Sequence, residues 1–229
     1  MLTNRTGAFY KGLLASISIV AGYLPIAFSF GLAATDAGLS PFVTLLISVA
    51  VYAGASQFLM IALLSSGAGV ITTVLSVLLL NGRHVFYGPA LASRLPRLLP
   101  SPLQSFGLTD EVFSTAANGL EKVAYEVRPV WLLGLQLGAY AAWILGTVLG
   151  TAFVGNLAHW PDAVREALSF VLPALFFSLL LESGIRGSRL PAVVATGTAI
   201  AALFFLPGHF ALLLAIVFGT AAHALRSIL

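Results

Sequence analysis

Charged residues are so sparse along this chain that it reads as long apolar runs punctuated by short polar clusters. Uncharged stretches extend from Gly12 to Thr35, Ala37 to Gly82, Pro129 to Pro161, Ala167 to Leu181 and Leu190 to Leu225. A bilayer crossing takes about 20 residues, within a range of roughly 17 to 25. The second stretch, 46 residues, is divided by "SSGAG" at 65–69, and the last, 36 residues, by "PGH" at 207–209, so each holds two segments. The pattern predicts seven hydrophobic segments, at about 12–35, 41–64, 69–92, 130–154, 167–183, 190–206 and 209–226, with a cytoplasmic connection at 93–129. The expected fold is all-α, a polytopic membrane protein with one transmembrane domain over residues 1–229 and some segments broken or re-entrant. Ser40 before Pro41 marks the start of the second segment, since serine caps orphan amides and proline suits the first helical position.

Composition strengthens this picture. Hydrophobic residues make up 59% of the 229 and charged residues only 8%, against about 25% charge in a soluble domain. There is no cysteine, which excludes disulfides, thiolate catalysis and cysteine-bound metal. The opening "MLTNRTGAFYKGLLA" superficially resembles a signal peptide, but the apolar run continues to Thr35, longer than a signal core, so a retained segment is expected.

Orientation follows the lysines and arginines of short loops. Seven full crossings put Arg94, Arg97, Lys122, Arg128, Arg186, Arg189 and Arg226 on one side, against Arg5, Lys11 and Arg165 on the other. That predicts an outside amino terminus and a cytoplasmic carboxyl terminus. A first segment that dips in and returns would instead bring Arg5 and Lys11 to the cytoplasmic side. Both readings place 93–129 and the carboxyl end in the cytoplasm. A weak echo of residues 39–67 in "LSFVLPALFFSLLLESG" at 168–184 suggests a three-plus-three inverted repeat followed by a last helix.

Polar interruptions inside apolar runs are the candidate sites, because irregular backbone survives at membrane depth only where protein or a water-filled cavity covers it. "AGYLPIAFSFG" combines Gly22, Pro25 and Gly31, read either as a tolerated kink or as a helix break lining a pocket. "AGASQ" places Gly54, Ala55, Ser56 and Gln57 mid-segment. Small residues alone suit close packing, but a buried glutamine needs partners for its donors and acceptor. Unwinding near Gly54 would aim a half-helix amino terminus at an anion such as a substrate carboxylate. In "NGRHVFYG", Asn81 and His84 share a helix face while Arg83 points elsewhere, towards the interface; Asn81 and His84 are candidates for gating, and His84 for carrying protons. In "LTDEVF", Thr109 caps a helix whose first turn holds Asp110 and Glu111, or the segment folds back so that a carboxylate meets a substrate ammonium or a coupling proton. Glu182 sits four residues before Arg186 as an interfacial pair, and His159, His209 and His223 read as structural. No metal-ligand spacing surrounds the histidines, and "GASQF" fails the GxSxG pattern of a serine hydrolase, so neither metal nor catalytic residues are expected.

The motifs "GYLPIAFSFG", "GLS" at 38–40, "YAGASQF", "NGRHVFY" and "TDEVF", in that order over residues 12–115, resemble those of the AzlC family, the large subunits of branched-chain amino acid exporters. Tyr52 and Phe86 depart conservatively from the residues expected there, and beyond residue 130 only hydropathy and length match. The resemblance implies a secondary transporter, not an enzyme, that exports leucine, isoleucine, valine and methionine across the cytoplasmic membrane on a proton gradient. It also implies a small AzlD-type partner subunit, with no cofactor and no nucleic acid. An aliphatic zwitterion needs a few polar groups for its head and apolar surface for its side chain, for which Phe28, Phe30 and Phe58 are candidates. A non-transporting scaffold or channel-like subunit is the alternative.

Overall fold

Polar caps set where several helices begin. The computed structural model describes residues 4–96, 105–153, 161–163, 166–167, 170, 185–206 and 208–228, which are helical apart from short turns. α1 (Arg5–Ala15) starts where the Asn4 side chain accepts from the Thr6 amide at 3.0 Å. A joint at Ser16, whose hydroxyl donates to the Leu13 carbonyl at 2.7 Å, leads into α2 (Ile17–Asp36). α3 (Pro41–Val51) begins as its sequence predicts, with Pro41 in the first turn and Ser40 Oγ accepting from the Val43 amide at 3.3 Å. α4 (Gly54–Ser65) and α5 (Val70–Asn81) follow, then a 3-10 stretch (Gly82–Phe86) and α6 (Tyr87–Ala92). Thr109 caps α7 (Asp110–Gly119) through the Val112 amide. Two single 3-10 turns then lead into the long α8 (Arg128–Phe153), and α9 (Ile185–Leu203) and α10 (Gly208–Ile228) complete the described chain.

These elements form two compact units, Met1–Phe58 with Leu78–Leu168, and Leu59–Val77 with Ser169–Leu229. In the second, α9 packs along α10, and a Cβ on Gly219 would come 2.9 Å from that of Ala195. The segment expected at 167–183, the repeat echo at 168–184, Glu182 and His159 lie largely or wholly outside the described residues.

The first unit is built along α8. Lipid tails are as apolar as leucine, so helices in a bilayer associate through close packing, which small residues permit. Glycines face backbone along the whole seam. A Cβ on Gly12 would run into the Trp131 carbonyl and one on Gly134 into that of Phe9. One on Gly146 would lie 2.7 Å from the Leu24 carbonyl, and one on Gly31 2.5 Å from that of Thr147. Contact positions rise together on both sides, so α1 and α2 run parallel to α8. α3 runs the other way: Ser48 meets Thr147 at 2.7 Å, while Tyr52 further along packs against Trp143 and Tyr140.

The parallel seam differs from what seven full crossings require. Lys11 of α1 lines a cavity of about 610 Å³ together with Glu121, Lys122 and Arg128. Lys11 therefore lies at the same end of this unit as residues 121–128, and not opposite them as seven full crossings require. A re-entrant first segment does not explain this, because α2 continues through Pro25 and is long and apolar enough to cross. At the second segment, the single helix expected over 41–64 is replaced by α3 and α4, of 11 and 12 residues. Eleven residues rise about 16 Å, half of a hydrocarbon core about 30 Å thick.

The helix break expected at Gly22, Pro25 and Gly31 is likewise absent. Gly22 and Pro25 sit on the exposed face of α2, with open space around Gly22, whereas Gly31 is buried in the seam. Proline removes only the bond to the Ala21 carbonyl, and the seam contacts at Leu24, Ala27 and Gly31 hold the axis on both sides of it.

Valine at Gly31 forces backbone against backbone and should destabilise the purified protein by at least about 1–3 kcal/mol, whereas Gly22→Ala should leave its melting temperature unchanged or raise it. Thermal unfolding in detergent checks this; equal melting temperatures for the two variants would refute the seam.

Candidate functional site

The helix that would cross at 41–64 stops at Val51 and restarts at Gly54. Between them Tyr52 adopts φ 27° and ψ 50°, the one left-handed non-glycine residue among those described. That conformation costs a bulky L-residue on the order of 1–2 kcal/mol. It is held by rings on several sides: Tyr23 at 6.4 Å between centroids, Phe106 at 6.0 Å, Tyr140 at 4.8 Å and Trp143 at 6.5 Å.

Gln57, in the first turn of α4, is fully buried. Its Oε1 accepts from the Trp143 indole N–H at 3.2 Å, while its Nε2 has no hydrogen-bond partner among the described residues. The Tyr52 hydroxyl is also buried and unpaired. An unmet buried polar group costs about 1–3 kcal/mol, so two at one helix break form a polar locus that the described residues leave unsatisfied. Beside them, Ser56 Oγ donates to Asn81 Oδ1 at 2.5 Å, which ties the start of α4 to the end of α5.

The 105–119 segment folds against this region. The Tyr23 hydroxyl, in the second turn of α2, donates to Glu111 Oε2 at 2.5 Å and lies 2.7 Å from Thr109 Oγ1. Asp110 pairs with Arg83 at 2.5 Å, accepts from the Tyr87 hydroxyl, and has His84 Nε2 at 3.9 Å. Phe113 stacks on Tyr87 at 4.6 Å, holding α7 against α6. Of the two readings of "LTDEVF", the cap is present, and both carboxylates of the first turn pair with side chains of other helices.

The structure brings Gly54, Ser56, Gln57, Asn81, His84, Asp110 and Glu111 into one network within the first unit, with Ala55 half-buried beside them. Phe58 meets Phe30 at 5.8 Å, and Phe28 meets Phe153 at 6.1 Å. Gly22, Pro25 and Gly31 lie outside the network. Arg83, expected to point away from His84, reaches the same carboxylate, because residues 82–86 form a 3-10 turn and not an α-helix.

Tyr23, Tyr87 and Trp143 were not anticipated. Aromatic residues in an apolar span carry no periodic signal. The one available hint was Arg83, a cation closing an otherwise uncharged run of 46 residues. Among the described residues no three His, Asp or Glu side chains gather as a metal site would require.

Comparison with known proteins gives the family. The family model for the AzlC protein matches residues 18–157, which contain every residue of the network. The chain is 38% identical over 217 residues to the inner membrane protein YgaZ of Escherichia coli (strain K12), covering 93% of this chain and 89% of that protein. An uncharacterized membrane protein of Archaeoglobus fulgidus is also 38% identical, over 203 residues, covering 89% of this chain and 87% of its own length. The branched-chain amino acid transport protein AzlC of Bacillus subtilis (strain 168) is 25% identical over 205 residues, covering 88% of this chain and 78% of its own. No solved structure matches. The extent of the family match, together with the helical fold and its apolar spans, makes this chain a membrane protein of the AzlC family.

Proposed function

We propose that this chain is a proton-coupled secondary transporter that exports leucine, isoleucine, valine and methionine across the cytoplasmic membrane, with its carboxyl terminus in the cytoplasm. It acts as the large component of a two-subunit exporter with a small AzlD-type partner. The observation that carries the reading is the buried break between α3 and α4, where Gln57 Nε2 and the Tyr52 hydroxyl stand unpaired among the described residues. A substrate carboxylate satisfies donors of this kind, and Gly54, Ala55, Ser56 and Gln57 supply them. Phe58, with Phe30 behind it, offers apolar surface for the aliphatic side chain. Support for the substrate class comes from the Bacillus subtilis relative, named for branched-chain amino acid transport.

Glu111 and Asp110 take the proton-linked and gating roles. Glu111 is hydrogen-bonded to Tyr23 of a helix long enough to span, so its protonation acts directly on α2. Asp110 closes a latch through Arg83, Tyr87 and His84, and Asn81 ties that stretch to Ser56. Alternating access then consists in the broken elements α3–α4 and α5–α6 rearranging around a site fixed on α8.

Counterflow in proteoliposomes carrying both subunits tests the reading. Preloaded vesicles should exchange labelled leucine, and Gln57→Leu should abolish that exchange while insertion and melting temperature stay as in the parent. A parent protein that exchanges no branched-chain amino acid would leave a non-transporting scaffold as the better account. Glu111→Gln should separate two activities: exchange persists within about twofold, but net export driven by an imposed proton gradient falls by at least about tenfold. Equal loss of both would remove Glu111 from the coupling step.

A further inference from the structure

A glutamine amide is ambiguous as a recognition group, because either its oxygen or its nitrogen can face a ligand. In this protein the ambiguity is removed by a residue outside the motifs that define the site. The indole N–H of Trp143 is a donor with no acceptor capacity, and it points at the Gln57 amide at 3.2 Å. The atom that meets it is therefore the amide oxygen. The NH₂ group turns the other way, fully buried and without a partner among the described residues.

The surroundings keep the indole in that position. Its ring lies edge-on to Tyr23 at 5.1 Å and to Tyr52 at 6.5 Å between centroids. From the third side it is met by the start of α4, where a Cβ on Gly54 would come 2.6 Å from Trp143 Cη2. Any side chain at 54 displaces the indole from Gln57, so the glycine, read from the sequence as a point of helix opening, is also the space that Trp143 occupies.

We infer that Trp143 is a positioning residue that holds Gln57 as a donor towards the ligand, so that the site accepts the carboxylate end of an amino acid and discriminates against analogues whose carboxylate is replaced. This rests on the transport reading given above, and it adds a specificity element supplied by α8. Without the indole N–H the amide is free to rotate and present oxygen or nitrogen. A carboxylate then meets a repulsive oxygen in part of the population, while a carboxamide, which carries both donors and acceptor, is served by either orientation.

The test compares leucine with leucinamide as competitors of labelled-leucine counterflow in proteoliposomes holding both subunits. The parent protein should prefer leucine by at least about tenfold, the worth of a hydrogen bond to a charged group. Trp143→Phe, which keeps a ring and loses the donor, should raise the KM for leucine about tenfold with little change in maximal rate, and narrow the leucine-to-leucinamide preference to about twofold. Gly54→Ala should give the same pattern by pushing the indole aside, with its chemistry intact. A purely structural role for Trp143 would instead lower the amount of active protein at constant KM and constant preference, and that result overturns the inference.

Equal competition by leucine and leucinamide in the parent protein also overturns it, whether or not either variant folds. If Gln57→Leu still abolishes exchange in those cases, the transport reading stands without the role assigned to Trp143. A parent that exchanges no branched-chain amino acid removes both.

Discussion

Helices surrounded by lipid gain no free energy from hiding apolar surface from water, so their association depends on how closely their backbones approach. Here that approach is set by glycines on α8 that face α1 and α2, answered by Gly12 and Gly31 from the other side. The rest of the first unit hangs on this seam. It fixes the height of Tyr23 relative to Trp143, and it presents Thr147 to Ser48 so that α3 lies antiparallel on the same helix. The chain can then break at Tyr52 with both flanking helices still held.

On that frame sits a polar network whose members mostly satisfy one another. Ser56 with Asn81, Tyr23 with Glu111, and Asp110 with Arg83 and Tyr87 join four separate stretches of sequence. Hydrogen bonds in surroundings of low polarity strengthen each other, and a network of this kind specifies one arrangement more sharply than apolar packing does. Against that background the left-handed Tyr52, its unpaired hydroxyl and the unpaired Gln57 amide nitrogen stand together as a local departure from good packing. Proteins tolerate such departures chiefly where function requires them.

Much of this was legible in the sequence. The all-helical membrane character follows from apolar run length, and the starts of α3 and α7 follow from Ser40-Pro41 and Thr109. The break beside Gly54 was legible because small residues and a glutamine are out of place in a greasy run. Pro25 misled because a proline reports the loss of one hydrogen bond and nothing about the packing that compensates for it. The parallel course of α2 and α8 was not legible because counting cations assumes that every apolar segment is one unbroken helix, and 41–64 is divided into α3 and α4. Trp143 and Tyr23 were invisible because their roles depend on which rings and amides face them across the bundle, and spacing along one helix carries no such information.

The parallel alignment of α2 with α8 bears on how the chain is assembled. Parallel neighbours cannot zip together as a hairpin; the polypeptide must first travel back across the layer between Asp36 and Arg128. During synthesis from the amino terminus, α1 and α2 therefore wait with the small-residue faces at Gly12 and Gly31 uncovered until α8 has been made. The contact on which the first unit depends thus cannot form until the broken helices between have been synthesised.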